Sequence, residues 1–127
     1  MSKIMVVDDD LSVLEVIKNA LTRKGFKVVT NDNPINALTL ILYERPDLIL
    51  LDYKMPELNG LEFLLKLRAS NYPKTMLTPV LMMSAAPTPT LINALNSIEL
   101  VDFIEKPFVS KELVAGVESA LKRFKAR

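Results

Sequence analysis

Five short runs dominated by apolar residues, separated by segments of helical periodicity, constrain this chain more than any other feature. The runs are Ile4 to Val7, Lys27 to Thr30, Leu48 to Leu51, Pro79 to Met83 and Val101 to Ile104. They are rich in Val, Ile and Leu, and this predicts strands buried on both faces. Between them, residues 11–24 carry Leu14, Ile17 and Leu21 on one stripe and end at Gly25, a residue suited to a left-handed C-terminal cap. Asn33 and Pro34 open a second helix as capping residue and first-turn proline; Leu38, Ile41 and Leu42 supply its buried stripe, and Arg45-Pro46 stops it. Gly60 precedes a third helix that reaches about Arg68. Ser110 is placed to cap the last helix, with Leu113, Val117, Ala120 and Leu121 inward and Lys111, Glu118 and Lys122 toward water.

A β-α unit repeated five times predicts an α/β fold. Parallel strands need crossovers, the crossovers are right-handed, and helices therefore cover both faces of the sheet. The 127 residues are read as one domain, residues 1–127. No apolar run approaches the ~20 residues that span a bilayer. The N-terminus lacks the long apolar segment of a secretory signal, so a cytoplasmic address and no membrane contact are expected.

Composition narrows the chemistry. The chain has no Cys and no His, which excludes disulfides, thiolate or imidazole metal ligands, and Ser-His or Cys-His nucleophiles. Carboxylates, hydroxyls and amines remain. A net charge of +1 gives no general attraction to nucleic acid, and the basic end formed by Lys122, Arg123, Lys125 and Arg127 reads as a solvated helix terminus.

In open parallel sheets ligands gather at the carboxyl ends of the strands. Those ends carry Asp8, Asp9 and Asp10 after the first run, Asp52 after the third, Ser84 after the fourth and Lys106 after the fifth. Asp8, Asp9 and Asp52, brought within ~6 Å, cannot all stay ionised without a raised pKa or a bound cation. Oxygen-only ligands favour a hard ion, and so few carboxylates suit Mg²⁺ or Mn²⁺ better than Ca²⁺. Asp10, directly before a helix, is read as its N-cap. Capping is also the plain alternative for Asp8 and Asp9, though one cap does not need three acids.

The segments "VVDDD", "LLDYKMPELNG", "LMMSA" and "FIEKPF" occur in an order and at a spacing that resemble bacterial response-regulator receiver domains, and the likeness spans nearly the whole chain. It implies a flavodoxin-like, doubly wound (βα)5 sheet in the order 2-1-3-4-5. By the same resemblance, Asp52 accepts a phosphoryl group from a histidine kinase or phosphotransfer protein. Asp9 and Asp52 hold Mg²⁺ through side chains, Lys54 through its backbone carbonyl and Asp8 mainly through water. Ser84 and Lys106 contact the phosphoryl group, the Lys106–Pro107 peptide is cis, and Ser84 with Phe103 forms the switch. Family members usually have Thr and often Tyr at these two positions; Phe103 lacks a hydroxyl, so its switching rests on packing. Lys54 and Ala86 stand where the family tunes hydrolysis of the acyl phosphate.

Two segments depart from the family pattern. Pro87 and Pro89 sit where the helix after the fourth strand should begin, and no glycine precedes the fifth strand, so that helix is expected to be short or displaced. The connection "NYPKTMLTP" is longer than usual and reads as an exposed loop. The functional reading is a phosphorylated switch, not an enzyme beyond its own phosphoryl transfer and dephosphorylation. It signals to a downstream protein or a fused output domain, without itself binding nucleic acid. The alternatives are a pseudo-receiver that binds partners without phosphorylation, and a Mg²⁺-dependent phosphohydrolase. Haloacid-dehalogenase-like phosphohydrolases carry a second Asp two residues after the nucleophile, where this chain has Lys54.

Overall fold

The apolar runs form five parallel strands in the computed structural model, which describes residues 2–124. In chain order the elements are β1 (Lys3–Val7), α1 (Leu11–Arg23), β2 (Lys27–Asn31), α2 (Pro34–Glu44), β3 (Leu48–Asp52) and α3 (Gly60–Arg68). They continue with α4 (Pro73–Met76), β4 (Val80–Ser84), α5 (Pro89–Asn96), β5 (Val101–Glu105) and α6 (Ser110–Phe124). The sheet order is β2-β1-β3-β4-β5, as expected, and the order reverses beside β1 and β3. Among the described residues no helix is long and apolar enough to cross a membrane.

Burial on both faces holds for β1, β3 and β4, whose apolar residues sit in two separate clusters. Ile4, Val6, Leu48, Leu50, Leu81 and Met83 pack against α1 and α6. Met5, Val7, Ile49, Leu51, Val80 and Met82 pack against α2, α3 and α5. Alternate residues of one strand feed opposite clusters because successive side chains point to opposite faces. The expectation fails at β2 and β5, which are only partly buried, because each has a neighbouring strand on one side alone.

The helix boundaries follow local chemistry. The Asp10 carboxylate accepts from the Ser12 and Val13 N–H groups, and Asn33 accepts from Asn36 ahead of Pro34. Gly25 has φ +91°. Asn59 and Glu62 form a reciprocal capping box, so Gly60 is the first residue of α3 and not a preceding linker. Ser110 likewise lies inside α6: the Leu113 N–H donates to the Val109 carbonyl, and Glu112 reaches back to the Val109 N–H. Val109 is therefore the cap position.

Three further details differ from the expected pattern. In α2 the buried residues are Pro34, Ala37 and Ile41, with Leu38 and Leu42 at the margin. In α6, Val114 and Phe124 are buried and Leu121 only partly so, because α6 packs across both the sheet and α1. The connection before β4 is not wholly loop, since Pro73 starts the single turn of α4, which buries no residue. Pro89 opens α5 behind a Thr88 cap, and at eight residues α5 is short, as expected. Lys125 and Arg127 of the expected basic end lie outside the described residues.

Candidate functional site

The carboxyl ends of β1, β3, β4 and β5 converge because the strands are parallel and in register there. Asp52 ends β3 and Ser84 ends β4, and the Tyr53 N–H donates to the Met83 carbonyl at 2.8 Å. The Lys106 N–H donates to the Ser84 carbonyl at 2.8 Å. These bonds carry the ladder one step past the strands and hold Asp52, Ser84 and Lys106 on a common rim.

On that rim one carboxylate oxygen from each of Asp8, Asp9 and Asp52 lies within 4.8 Å of the others. The Lys106 Nζ donates to Asp52 Oδ1 at 2.9 Å and to Asp8 Oδ2 at 3.0 Å. Asp8 is 1% exposed and Asp52 6%, while Asp9 is open to solvent. Asp8 also accepts from the Asp10 N–H at 3.0 Å, so it supports the β1–α1 turn as well as facing the cluster.

Burial raises the Asp52 pKa above its ordinary 3.8; the Lys106 hydrogen bond opposes that rise, and the charges of Asp8 and Asp9 add to it. For Lys106, burial lowers the pKa, but the hydrogen bonds to Asp52 and Asp8 outweigh it, and the net shift is upward from 10.5. The folded state thus holds the lysine proton more tightly than the unfolded chain. Its stabilisation is complete below pH 10.5 and is lost as pH rises through the higher folded value. In chelator-treated protein, Lys106→Met is expected to cost about 3 kcal/mol at neutral pH, because it strands two buried carboxylates. Urea unfolding from neutral to strongly alkaline pH should show this difference shrinking above pH 10.5; a constant difference would contradict it.

Three clustered carboxylates, two of them bonded to one ammonium, are an oxygen-only, acid-rich donor set. Their chemistry fits a hard divalent cation such as Mg²⁺.

The other expected site residues occupy varied positions. Ser84 is 5% exposed, and its Oγ accepts from the Ala86 N–H at 3.4 Å. Lys54 has an exposed side chain. The Lys106–Pro107 bond is cis. Phe103 is half-buried against the cluster shared by α2, α3 and α5.

One residue escaped sequence reasoning except as a helix boundary. The Gly60 N–H donates to the Tyr53 carbonyl at 2.7 Å, and a Cβ there would lie 2.9 Å from the Asp52 carbonyl oxygen, 2.8 Å from Tyr53 Cα and 2.6 Å from Met82 Sδ. Two of these neighbours are backbone and cannot swing aside. Gly60→Ala should therefore lower the unfolding free energy by about 2 kcal/mol despite the better helix propensity of alanine. An unchanged urea midpoint would show that α3 backs away freely.

A family model described as the response regulator receiver domain matches residues 4–118. The chain belongs to that family. The receiver domain is 38% identical over 122 residues to the nisin biosynthesis regulatory protein NisR of Lactococcus lactis subsp. lactis, which covers 95% of this chain and 51% of that protein. The DNA-binding response regulator MtrA of Mycobacterium tuberculosis strain H37Rv gives the same identity, length and coverage. The receiver domain spans about half the length of these relatives.

Among solved structures, chemotaxis protein CheY4 of Vibrio cholerae superposes with a TM-score of 0.87 at 26% identity, over 94% of this chain and 98% of that one. The receiver domain of Francisella response regulator 1452 gives 0.82 at 31% identity, over 97% and 98%. The flavodoxin-like, CheY-type fold expected from the sequence is the fold observed. The chain is a receiver domain of the two-component response-regulator type, in a family whose members generally bind Mg²⁺.

Proposed function

We propose that Asp52 is the phosphoacceptor of this receiver domain. The observation that carries the reading is the Lys106 ammonium, bonded to both Asp52 and Asp8 within a three-carboxylate cluster at the strand ends. An Asp52 carboxylate oxygen attacks phosphorus in line; the P–N bond to the donor histidine breaks as the acyl phosphate forms, and the electron pair leaves with the imidazole. Catalysis is positioning plus charge neutralisation. Lys106 turns from its carboxylate partners toward the phosphoryl oxygens, and the Ser84 hydroxyl donates to another of them. Asp9, Asp52 and the Lys54 carbonyl would hold Mg²⁺, with Asp8 reaching it through water. When bound, the ion would supply positive charge for the transferring group.

Loss of the phosphoryl group by hydrolysis at the same site completes the cycle, so the domain turns over nothing but its own modification. The upstream partner is a histidine kinase or phosphotransfer protein, and the downstream one a separate protein or a fused output domain. Movement of Ser84 toward the phosphoryl group frees space that Phe103 takes up by repacking, and this alters the face formed by α5, β5 and α6. No observation favours the pseudo-receiver, since every polar group the chemistry needs is present on the rim. The phosphohydrolase alternative lacks its second acid, with Lys54 in that position.

Amide NMR during titration with Mg²⁺ and then beryllofluoride, a mimic of the aspartyl phosphoryl group, tests the proposal. Shifts at Asp9, Asp52, Ser84 and Lys106 that spread to Phe103 are expected. Undisturbed strand ends would mean that the acids are not a working site, and the pseudo-receiver would take its place.

A further inference from the structure

We propose that the trough between the C-terminal end of α2 and the α3–α4 connection docks an acidic peptide segment carrying one apolar anchor. Two cavities of about 420 and 220 Å³ share Leu42, Tyr72 and Thr75 as lining residues, so they form one continuous trough. Tyr43 and Tyr72, 79% and 60% exposed, stand beside it. Arg45, Lys66 and Lys74 add three cations to its walls, and no carboxylate lines either cavity. Among the described residues none of these cations has a carboxylate within 4 Å.

Single exposed apolar residues are ordinary, but two tyrosines on one trough are a patch. Packing does not account for them. The turn of α4 that brings Tyr72, Pro73 and Lys74 to the surface buries nothing, and Tyr72 makes no side-chain cap. Tyrosines offer large, stiff contact area at low entropic cost, which suits an apolar anchor. Three unpaired cations around an apolar floor select a partner rich in carboxylates and disfavour a basic one.

Position separates this surface from the phosphoacceptor chemistry. Helix α2 leads into β3 at Leu48 and α4 into β4 at Val80, so the trough lies at the strand N-termini and the acid cluster at their C-termini. A five-residue strand puts the two roughly 15 Å apart. Docking here is therefore constitutive, and the inference does not rest on the role of Asp52.

The test is an NMR titration of the chain with a short peptide of glutamates flanking one leucine, beside the same peptide with glutamines. The glutamate peptide is expected to shift the amides of Leu42, Tyr43, Tyr72 and Lys74, with affinity falling as salt is added. The double variants Tyr43→Ser with Tyr72→Ser, and Lys66→Glu with Lys74→Glu, should each weaken binding about tenfold, whereas Asp52→Asn should leave it unchanged. All four altered positions of the double variants are surface residues, so folding is retained. Equal binding of the glutamine peptide, or shifts confined to another surface, would overturn the proposal. Tighter binding of an oligothymidine strand at the same amides would overturn it too, in favour of nucleic acid.

Discussion

Asp52→Asn is expected to abolish phosphoryl uptake and every beryllofluoride-dependent shift, while leaving the domain folded and slightly more stable at neutral pH. The first half follows from chemistry: an amide oxygen is not a nucleophile toward phosphorus. The second half follows from the direction of the pKa shift. The Asp52 carboxyl has a folded pKa above 3.8, chiefly through burial, so its ionisation opposes folding. That cost is absent below pH 3.8, grows as pH rises and is complete above the folded value. Asparagine removes the cost and the repulsion with Asp8 and Asp9, and Lys106 keeps Asp8 as a partner. Urea unfolding in chelator should give a variant more stable than wild type at pH 7, with the gap closing in acid. A variant that is less stable at pH 7 would show that the Asp52–Lys106 pair is a net structural asset. Residual beryllofluoride shifts would move the acceptor role to another residue.

The largest loss of stability is expected at a residue far from the acids. The Arg68 guanidinium makes five hydrogen bonds to backbone carbonyls: two to Glu99 at 2.9 and 3.1 Å, and one each to Leu100 at 3.1 Å, Met76 at 3.1 Å and Thr78 at 2.7 Å. All five of its N–H donors are thereby used. Burial pushes its pKa down to about 10, partly offset by Glu99, so it stays charged at neutral pH. It fastens the end of α3 to the turn of α4 and to the start of β5. There Leu100 adopts φ +61°, a left-handed conformation that costs a side-chain-bearing residue about 1–2 kcal/mol. No glycine relieves that turn. Leu100 is held by burial of its side chain and by its carbonyl, which accepts from Arg68 and from the Val80 N–H.

Arg68→Ala should therefore lower the unfolding free energy by about 3 kcal/mol or more, a large share of the 5–15 kcal/mol typical of a domain. Arg68→Lys should recover little, because an ammonium cannot reproduce the planar fork. Hydrogen exchange should rise first at Val80 and around Leu100. A loss below about 1 kcal/mol would mean that water replaces the guanidinium at these carbonyls without penalty.

Much of this protein was legible in its sequence because the deciding interactions are local or periodic. Gly25, Asn33-Pro34 and Asp10 mark helix ends through backbone geometry and side-chain caps that act within a few residues. The buried runs of β1, β3 and β4 have no polar alternation and so announce a parallel sheet, and parallel strands bring their C-terminal acids to one edge. Asn59 and Glu62 were also readable, as a capping box three residues apart, and their reading would have placed the start of α3.

What the tertiary structure alone decided depends on residues distant in the chain. Lys106 chooses Asp8 and Asp52 as partners across separations of 98 and 54 residues. Gly60 is required by the backbone of Asp52 and Tyr53 and the sulfur of Met82, not by its own turn. Arg68 looks like a solvated helix end until carbonyls from two later segments close around it. The half-exposure of β2 and β5 comes from their place at the sheet edges, which composition does not encode. Local sequence determines which elements form and where they stop, because caps and periodicity act over a few residues. Which groups lose their water and must find partners depends on how those elements pack, and only the folded chain decides that.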